Sequence, residues 1–549
     1  MNTTAVLTLV VLLVGLVFGG GTRNEFIGDV ILQLAAVPLL IWSIFSGSST
    51  DTPSADAARR RFWGLVFCVG LVVVPLLQLL PLPIAFWGLL PGRDVVREAF
   101  DLIGEPLGAQ QISMVPELTW LAFASLIPPI AVFLGMVHLS YAERRLLSKV
   151  IIGFGLASAF LGLMQLAQGP NSTLRFFEFT NPTEAVGFFA NRNHFSALLY
   201  VVTLFASCWV IDALASIQGL GRETLLRSRA IVVVAAVVLI FIALVIGQTM
   251  ARSRAGLMLS IIALFAVLAL AMTDRHGREM GSRTAKLMFG AAAFAIVFSL
   301  QFALLRILER FEQDPLEDAR VLYARKTFEL VKAYLPLGTG MGTFVPVYAM
   351  HEKPADLIPS YANRAHNDVL EVSLESGVLG MVLMGVFALW LLRQTIRVWG
   401  KSNKIEAQGF DLALMKASTV GLWLLAAHSF VDYPLRTGAI MTLAAFACGL
   451  LIPSPSGSSD HQTHKHHDGV APVPKQRTDN PALQLPKDGA PDTAGVPREP
   501  GTQGVRPRQL WQTDKEWPES WRTKDSSAQP IPSSKSGAKE QDPGPEGKT

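Results

Sequence analysis

Runs of about twenty apolar residues recur along most of this chain, and each is long enough to cross the roughly 30 Å hydrocarbon core of a bilayer. In lipid no water satisfies the backbone, so such runs fold as helices whose amides are bonded internally. About twelve runs qualify, near 5–20, 27–46, 62–83, 118–140, 148–167, 193–212, 230–249, 255–272, 286–304, 375–398, 409–430 and 437–453. The third meets Pro81 and Pro83, which end a helix. The first has no basic residue ahead of it and no small-residue cleavage site, so it reads as a span and not as a removed signal peptide. Composition agrees: 50% of residues are hydrophobic and 16% charged, against about 25% charged in soluble domains. A disordered chain, a collagen-like chain and a nucleic-acid-binding protein are thereby excluded. Cys68, Cys208 and Cys448 all sit inside apolar runs, so neither a disulfide framework nor a zinc site is legible. The expected fold class is all-α, a polytopic membrane protein of about 12 transmembrane helices.

Short basic loops mark the cytoplasmic side of a membrane. Arg59, Arg60 and Arg61 follow the second run, and Arg144, Arg145 and Lys149 the fourth. Arg222, Arg227 and Arg229 follow the sixth, Arg275, Arg278, Arg283 and Lys286 the eighth, and Arg393, Arg397, Lys401 and Lys404 the tenth. Every even-numbered connection is basic, which predicts both termini in the cytoplasm. Segments 84–117, 168–192 and 305–374 then face outward. The last is itself basic, with Arg306, Arg310, Arg320, Arg325, Lys326, Lys332, Lys353 and Arg364, and so calls for an anionic partner. Beyond 453 apolar periodicity stops and Pro, Ser, Gly, Asp and Lys dominate, which predicts a disordered cytoplasmic tail over 454–549 beside a membrane domain over 1–453. The tail's His461, His464, His466 and His467 read as solvated and without a specific ligand.

Three places in the outward segments hold residues that chemistry can use. The turn Met250-Ala251-Arg252-Ser253-Arg254-Ala255-Gly256 puts two guanidinium groups at the outer end of a span. Such arginines can simply snorkel to the interface. A planar fork also suits phosphate oxygens, and the turn opens a helix, whose N-terminus favours anions. Second, Val321, Leu322, Phe328 and Val331 fall near helical spacing within 318–334, predicting an amphipathic helix with Arg320 near its start. The plain reading of Arg320 is a solvated face. The helix runs into Gly338, Gly340 and Gly342, whose alternation predicts a tight, irregular backbone. No strand precedes them, so they are not a dinucleotide fingerprint. Third, His366-Asn367 stands where the large loop returns to the tenth span, followed by Gly377 and Gly380, which predict close helix packing. Histidine is the side chain whose ordinary pKa makes it a base near neutrality. Asp368, Glu371 and Glu375 share a helix face and read as solvated. Asn191-Arg192-Asn193-His194 opens the sixth span, and His428 and Asp432 read as a hydrogen-bonded pair; two ligands do not make a metal site.

Taken in order, these motifs resemble the O-antigen ligase and polymerase superfamily of bacterial membrane glycosyltransferases. Its loop motif of His, then Asn, Ser or Gln, nine residues, Gly, two residues and Gly is matched by His366, Asn367, Gly377 and Gly380. Its Ser-Arg-small-Gly turn looks like Ser253-Arg254-Ala255-Gly256. Its arginine ahead of a Gly-x-Gly-x-Gly turn is similar to Arg320 ahead of Gly338, Gly340 and Gly342, and its Asn-x-Asn element to Asn191-Arg192-Asn193. The resemblance covers about 115–450.

The resemblance implies a glycosyltransferase of the membrane-embedded C type, with one large periplasmic loop at 305–374, in the bacterial inner membrane. It implies a glycan donor on undecaprenyl diphosphate. The acceptor is a hydroxyl: on lipid A-core for a ligase of lipopolysaccharide biosynthesis, on a growing glycan for a polymerase of polysaccharide biosynthesis, or on a protein. By the same analogy Arg254 and Arg320 hold the donor diphosphate and His366 activates the acceptor. Arg252, Asn191, Asn193, Asn367, Gly338 and Gly340 stand as supporting residues. No Asp-x-Asp motif lies in the outward loops, which fits a reaction that needs no metal or other cofactor. Ligase is favoured over polymerase on the loop motif. A transporter would place ionisable groups mid-span and show inverted repeats, and none is visible. A glycan-binding scaffold without catalysis would lack His366 or one arginine.

Overall fold

The computed structural model describes residues 1–22, 27–46, 55–178, 180–218, 224–273, 290, 315–354, 362–400, 407 and 409–455. Apart from Gly290, the expected ninth span at 286–304 lies outside the described residues, as does the tail with its histidine tract. The chain divides into two compact units, Met1–Ala471 and Pro472–Thr549, and every described helix lies in the first. These helices are α1 (Thr3–Phe18), α2 (Ile27–Phe45), α3 (Ala55–Gln78), α4 (Ile84–Trp87), α5 (Asp94–Ile103), α6 (Pro116–Ala124), α7 (Ile127–Val137) and α8 (Tyr141–Gln168). They continue with α9 (Arg192–Gln218), α10 (Thr224–Met250), α11 (Arg254–Thr273), α12 (Pro315–Tyr334), α13 (Phe344–Met350), α14 (Asp368–Trp399), α15 (Phe410–His428) and α16 (Gly438–Leu450).

Among the described residues, eight helical stretches are long and apolar enough to cross a membrane, and three shorter apolar helices, Thr3–Phe18, Leu239–Met250 and Gly438–Leu450, fall within or beside further expected spans. The protein is a multi-pass membrane protein. Three expected boundaries are corrected. The third span stops at Gln78, and Pro81–Leu82 instead pairs antiparallel with Gln110–Gln111. The fourth divides into α6 and α7, with Pro128 in the first turn of α7, where its missing N–H is no loss. The tenth begins earlier, at Asp368, and takes Glu371 and Glu375 into the helix. Caps explain several starts. Ser140 and Glu143 form a reciprocal capping box on α8, and the Asn367 side chain accepts from Leu370 N at 3.0 Å to open α14.

The centre of the bundle is α9, packed against α8, α10, α11 and α15. Helices in lipid associate by close packing and polar contacts more than by the hydrophobic effect. Gly256 on α11 shows the former: a Cβ there would run into Ser196 of α9. At one end of the bundle the connections expected to be cytoplasmic meet. Arg144 donates to Ile452 O at 2.6 Å, Arg145 forks onto Asp411 at 2.7 and 2.6 Å, and Arg397 donates to Leu451 O at 2.9 Å. At the other end the segments expected outside meet. Met114 N donates to Thr339 O at 2.8 Å, Ala185 N to Met250 O at 3.0 Å, and buried Arg93 to Ile112 O at 2.6 Å and Gly338 O at 3.0 Å. A small second core lies there, built on Tyr323, Leu330, Val331, Tyr334, Phe344 and Tyr348. The expected amphipathic helix is therefore present as α12. Its buried stripe is Tyr323, Leu330, Val331 and Tyr334, while Val321 and Phe328 are exposed.

Candidate active site

His366 lies on the short return from the large loop into α14, with φ at 51°. A left-handed backbone is unusual for any residue but glycine and costs roughly 1–2 kcal/mol. Both neighbours are tied down against that cost. Ala365 N donates to Glu371 Oε2 at 2.9 Å, and Asn367 caps α14 while its Nδ2 donates to Phe430 O at 2.9 Å. The imidazole Nδ1 stands 3.0 Å from Asp432 Oδ1. Asp432 is fully buried, and its other oxygen accepts from Asn193 Nδ2 at 2.5 Å. Burial alone would push the Asp432 carboxyl up. The His366 hydrogen bond and the charge of Arg320 outweigh it and hold the carboxyl below the usual carboxylate range. An ionised carboxylate only accepts, so Nδ1 donates to it, and in the neutral ring the lone pair is then on Nε2. The ring is framed by Tyr433, edge-on at 5.0 Å between centroids, and by Tyr323 of α12 at 6.3 Å. Burial, with the Asp432 charge beside it, pushes Tyr433 up to about 12, so its phenol stays protonated at neutral pH.

The expected pairing of His428 with Asp432 is corrected. Four residues apart, they share a backbone bond, Asp432 N to His428 O at 2.9 Å, but the His428 ring faces the Tyr200 hydroxyl at 3.3 Å. Asp432 turns instead toward His366 and α9. Asn191 Oδ1 accepts from Asn193 N at 2.8 Å, so the Asn-x-Asn element is the device that starts α9 and aims Asn193 at Asp432.

Asp368, Glu371 and Glu375 are not solvated: all three are buried. An ionised group cannot leave water without partners, and two arginines supply them. Arg364 Nη1 meets Glu371 Oε1 at 3.0 Å. Arg436 Nη1 meets Glu375 Oε2 at 2.8 Å, and its Nε lies 3.5 Å from Asp368 Oδ1. Burial works against the Arg436 charge, but Glu375, Glu371 and Asp368 overcome it and raise the guanidinium above its ordinary value. Gly377 is a backbone kink in α14, with φ at 56° and ψ at −145°, and not the helix-packing surface expected of it. The kink lets Val378 N reach Pro336 O at 2.8 Å.

The glycine turn is as irregular as its spacing predicts, with φ at 78° for Gly338, 108° for Gly340 and 83° for Gly342. It beds against α14: Thr339 N donates to Leu374 O at 3.0 Å and Gly340 N to Glu375 O at 2.9 Å. At the third place Ser253 caps α11, accepting from Gly256 N at 3.0 Å, and Arg252 holds φ at 50° beside it. Arg254 is the first residue of α11, where unbonded N–H groups favour anions. Gly256 rests on Ser196, one turn along α9 from Asn193, so the Arg252–Arg254 turn and the His366–Asp432 pair gather at the same end of α9. Arg320 reaches the pair through its charge on Asp432. A histidine paired with a carboxylate and, at the same end of α9, an arginine-bearing turn that opens a helix are groups that can accept a proton and stabilise a polyanion. Among the described residues no group of three or more His, Cys, Asp or Glu is placed to hold a metal ion.

Residues 214–385 match the family model described as O-antigen ligase. The match contains Arg252, Arg254, Arg320, the glycine turn and His366, but neither Asn193 nor Asp432. No curated protein matches the chain.

Proposed function

We propose that this chain, which belongs to the O-antigen ligase and polymerase superfamily, transfers a glycan from undecaprenyl diphosphate to a hydroxyl acceptor at the outer face of the inner membrane. The observation that carries the reading is the His366–Asp432 pair, on which the Arg320 charge acts. His366 Nε2 takes the acceptor's hydroxyl proton, and the acceptor oxygen bonds to the anomeric carbon. The bond from that carbon to the diphosphate breaks, and the leaving group keeps the electron pair. Arg254 and Arg320 stabilise the charge that develops there, more strongly beside lipid than in water. Asp432 orients the ring and stabilises the imidazolium. Two guanidinium groups supply the positive charge, so the reaction requires no metal.

The ligase reading is favoured over polymerase by the loop motif. Mass spectrometry of lipid-linked and surface glycans in a deletion strain separates them. Long polymer stranded on the polyprenyl carrier means ligase, single repeat units mean polymerase, and unchanged glycans refute both.

A further inference from the structure

Resting on the reading of His366 as the base, the geometry points to Arg436 as a positioning residue that locks the His366–Asp432 pair to the glycine turn. Arg436 stands on the 3-10 turn Pro434–Arg436, just past Asp432, and its side chain is 16% exposed. It faces three buried carboxylates on one side of α14: Glu375 at 2.8 Å, Asp368 at 3.5 Å and Glu371 at 3.6 Å. Each carboxylate also accepts from a group that holds the site. Glu371 accepts from Ala365 N, the residue before His366, at 2.9 Å. Asp368 accepts from Ser429 Oγ at 2.7 Å, and its own N–H donates to Ser429 O at 2.8 Å, which clamps the turn leading to Asp432. Glu375 accepts from Phe344 N at 3.2 Å, at the end of the glycine turn. One guanidinium thus bridges the three carboxylates of the face that fixes the chain on both sides of the proton-accepting pair.

The charge count explains why arginine is needed. Three buried carboxylates, Asp368, Glu371 and Glu375, share the two guanidinium groups of Arg364 and Arg436; without Arg436 they share one, and they must take up protons or move apart. A planar fork reaches several carboxylates at once, whereas a lysine is a single point charge.

The test compares Arg436→Met, Arg436→Lys and the charge-balanced double variant Arg436→Met with Glu375→Gln, whose amide oxygen can still accept from Phe344 N. Each is purified in detergent and assayed with polyprenyl-diphosphate-linked glycan extracted from membranes of a strain lacking the chain. Arg436→Met is expected to lower kcat by about 10²-fold, the scale of a small misplacement of reacting groups, with donor KM changed less than about threefold. Arg436→Lys falls between it and the parent. The double variant recovers at least about tenfold of the lost kcat, which a loss of bulk alone does not predict. Parental turnover in Arg436→Met, a loss confined to KM, or no recovery in the double variant overturns the proposal. Should Arg436→Met fail to insert, Arg436→Lys decides: a lowered kcat at parental KM supports the proposal and parental kcat overturns it. His366→Ala runs alongside. If it turns over normally, the reading of the base fails; if it alone is dead while the Arg436 variants are parental, only the positioning role fails.

Discussion

At His366 the strained backbone and the buried Asp432 divide the work: the first aims the ring, the second sets which nitrogen holds the proton. Two predictions belong to this scale. His366→Ala removes proton transfer, typically 10²- to 10⁴-fold in rate, and leaves donor binding nearly intact. Arg254→Ala and Arg320→Ala each delete a charge-assisted contact of about 1.5–3 kcal/mol and weaken donor binding roughly 10- to 150-fold, with partial rescue by lysine. Equilibrium binding measured apart from turnover separates the two classes, and normal donor binding by both arginine variants places the diphosphate elsewhere. Asp432 makes a prediction about pH. Its folded carboxyl is held below the ordinary value of 3.8, so its stabilisation is present above about pH 4 and is lost as pH falls through the folded value. Asp432→Asn is therefore expected to lower stability by about 1–3 kcal/mol near neutrality, with the gap to the parent closing below about pH 4. Unfolding midpoints across a pH series check it; a gap that widens on acidification contradicts the sign. His366 was legible in the sequence because a base and its following glycines share a local motif. Asp432 was not, because its partner lies 66 residues away.

Elements position these groups through a few backbone features. The kink at Gly377 is one, since φ near 56° with ψ near −145° is open almost only to glycine. Gly377→Ala is expected to cost at least about 1–3 kcal/mol and to loosen the glycine turn, whose Pro336 O bonds Val378 N. Reduced thermal stability in detergent, with faster proteolysis within 335–344, is the expected result; parental behaviour means the kink is incidental. The acidic face of α14 departs from its sequence reading for a physical reason. Asp368, Glu371 and Glu375 at helical spacing resemble a solvated stripe, yet they open a helix apolar enough to cross a membrane. An intramembrane carboxylate demands a partner. With the span expected to start only at 375, neither that demand nor the identity of the partners, Arg364 and Arg436, was readable beforehand.

At the scale of the whole molecule, the alternating basic connections predict that both termini are cytoplasmic and that 305–374 lies outside. In a chain with its native cysteines replaced, a cysteine at Glu352 should react with an impermeant reagent from outside and one at Ser282 only from inside; reversed accessibility would remove the orientation and the catalytic assignment together. The tail has no apolar pattern with which to pack, so truncation after Pro455 should leave insertion and transfer unchanged. A truncated chain that inserts normally but has lost transfer would assign the tail a role in the reaction. The sequence by itself determined the membrane class, the amphipathic α12 and the irregular glycine turn. Hydrophobic length, basic loops, helical spacing and glycine's access to positive φ are local properties of the chain. Only the tertiary structure decided that Asp432 faces His366 and Asn193, that Arg436 meets the carboxylates of α14, and that the Arg252–Arg254 turn shares their end of α9. Those pairings join residues far apart in sequence, and a buried charge meets whichever partner the packing brings to it, not the one nearest along the chain.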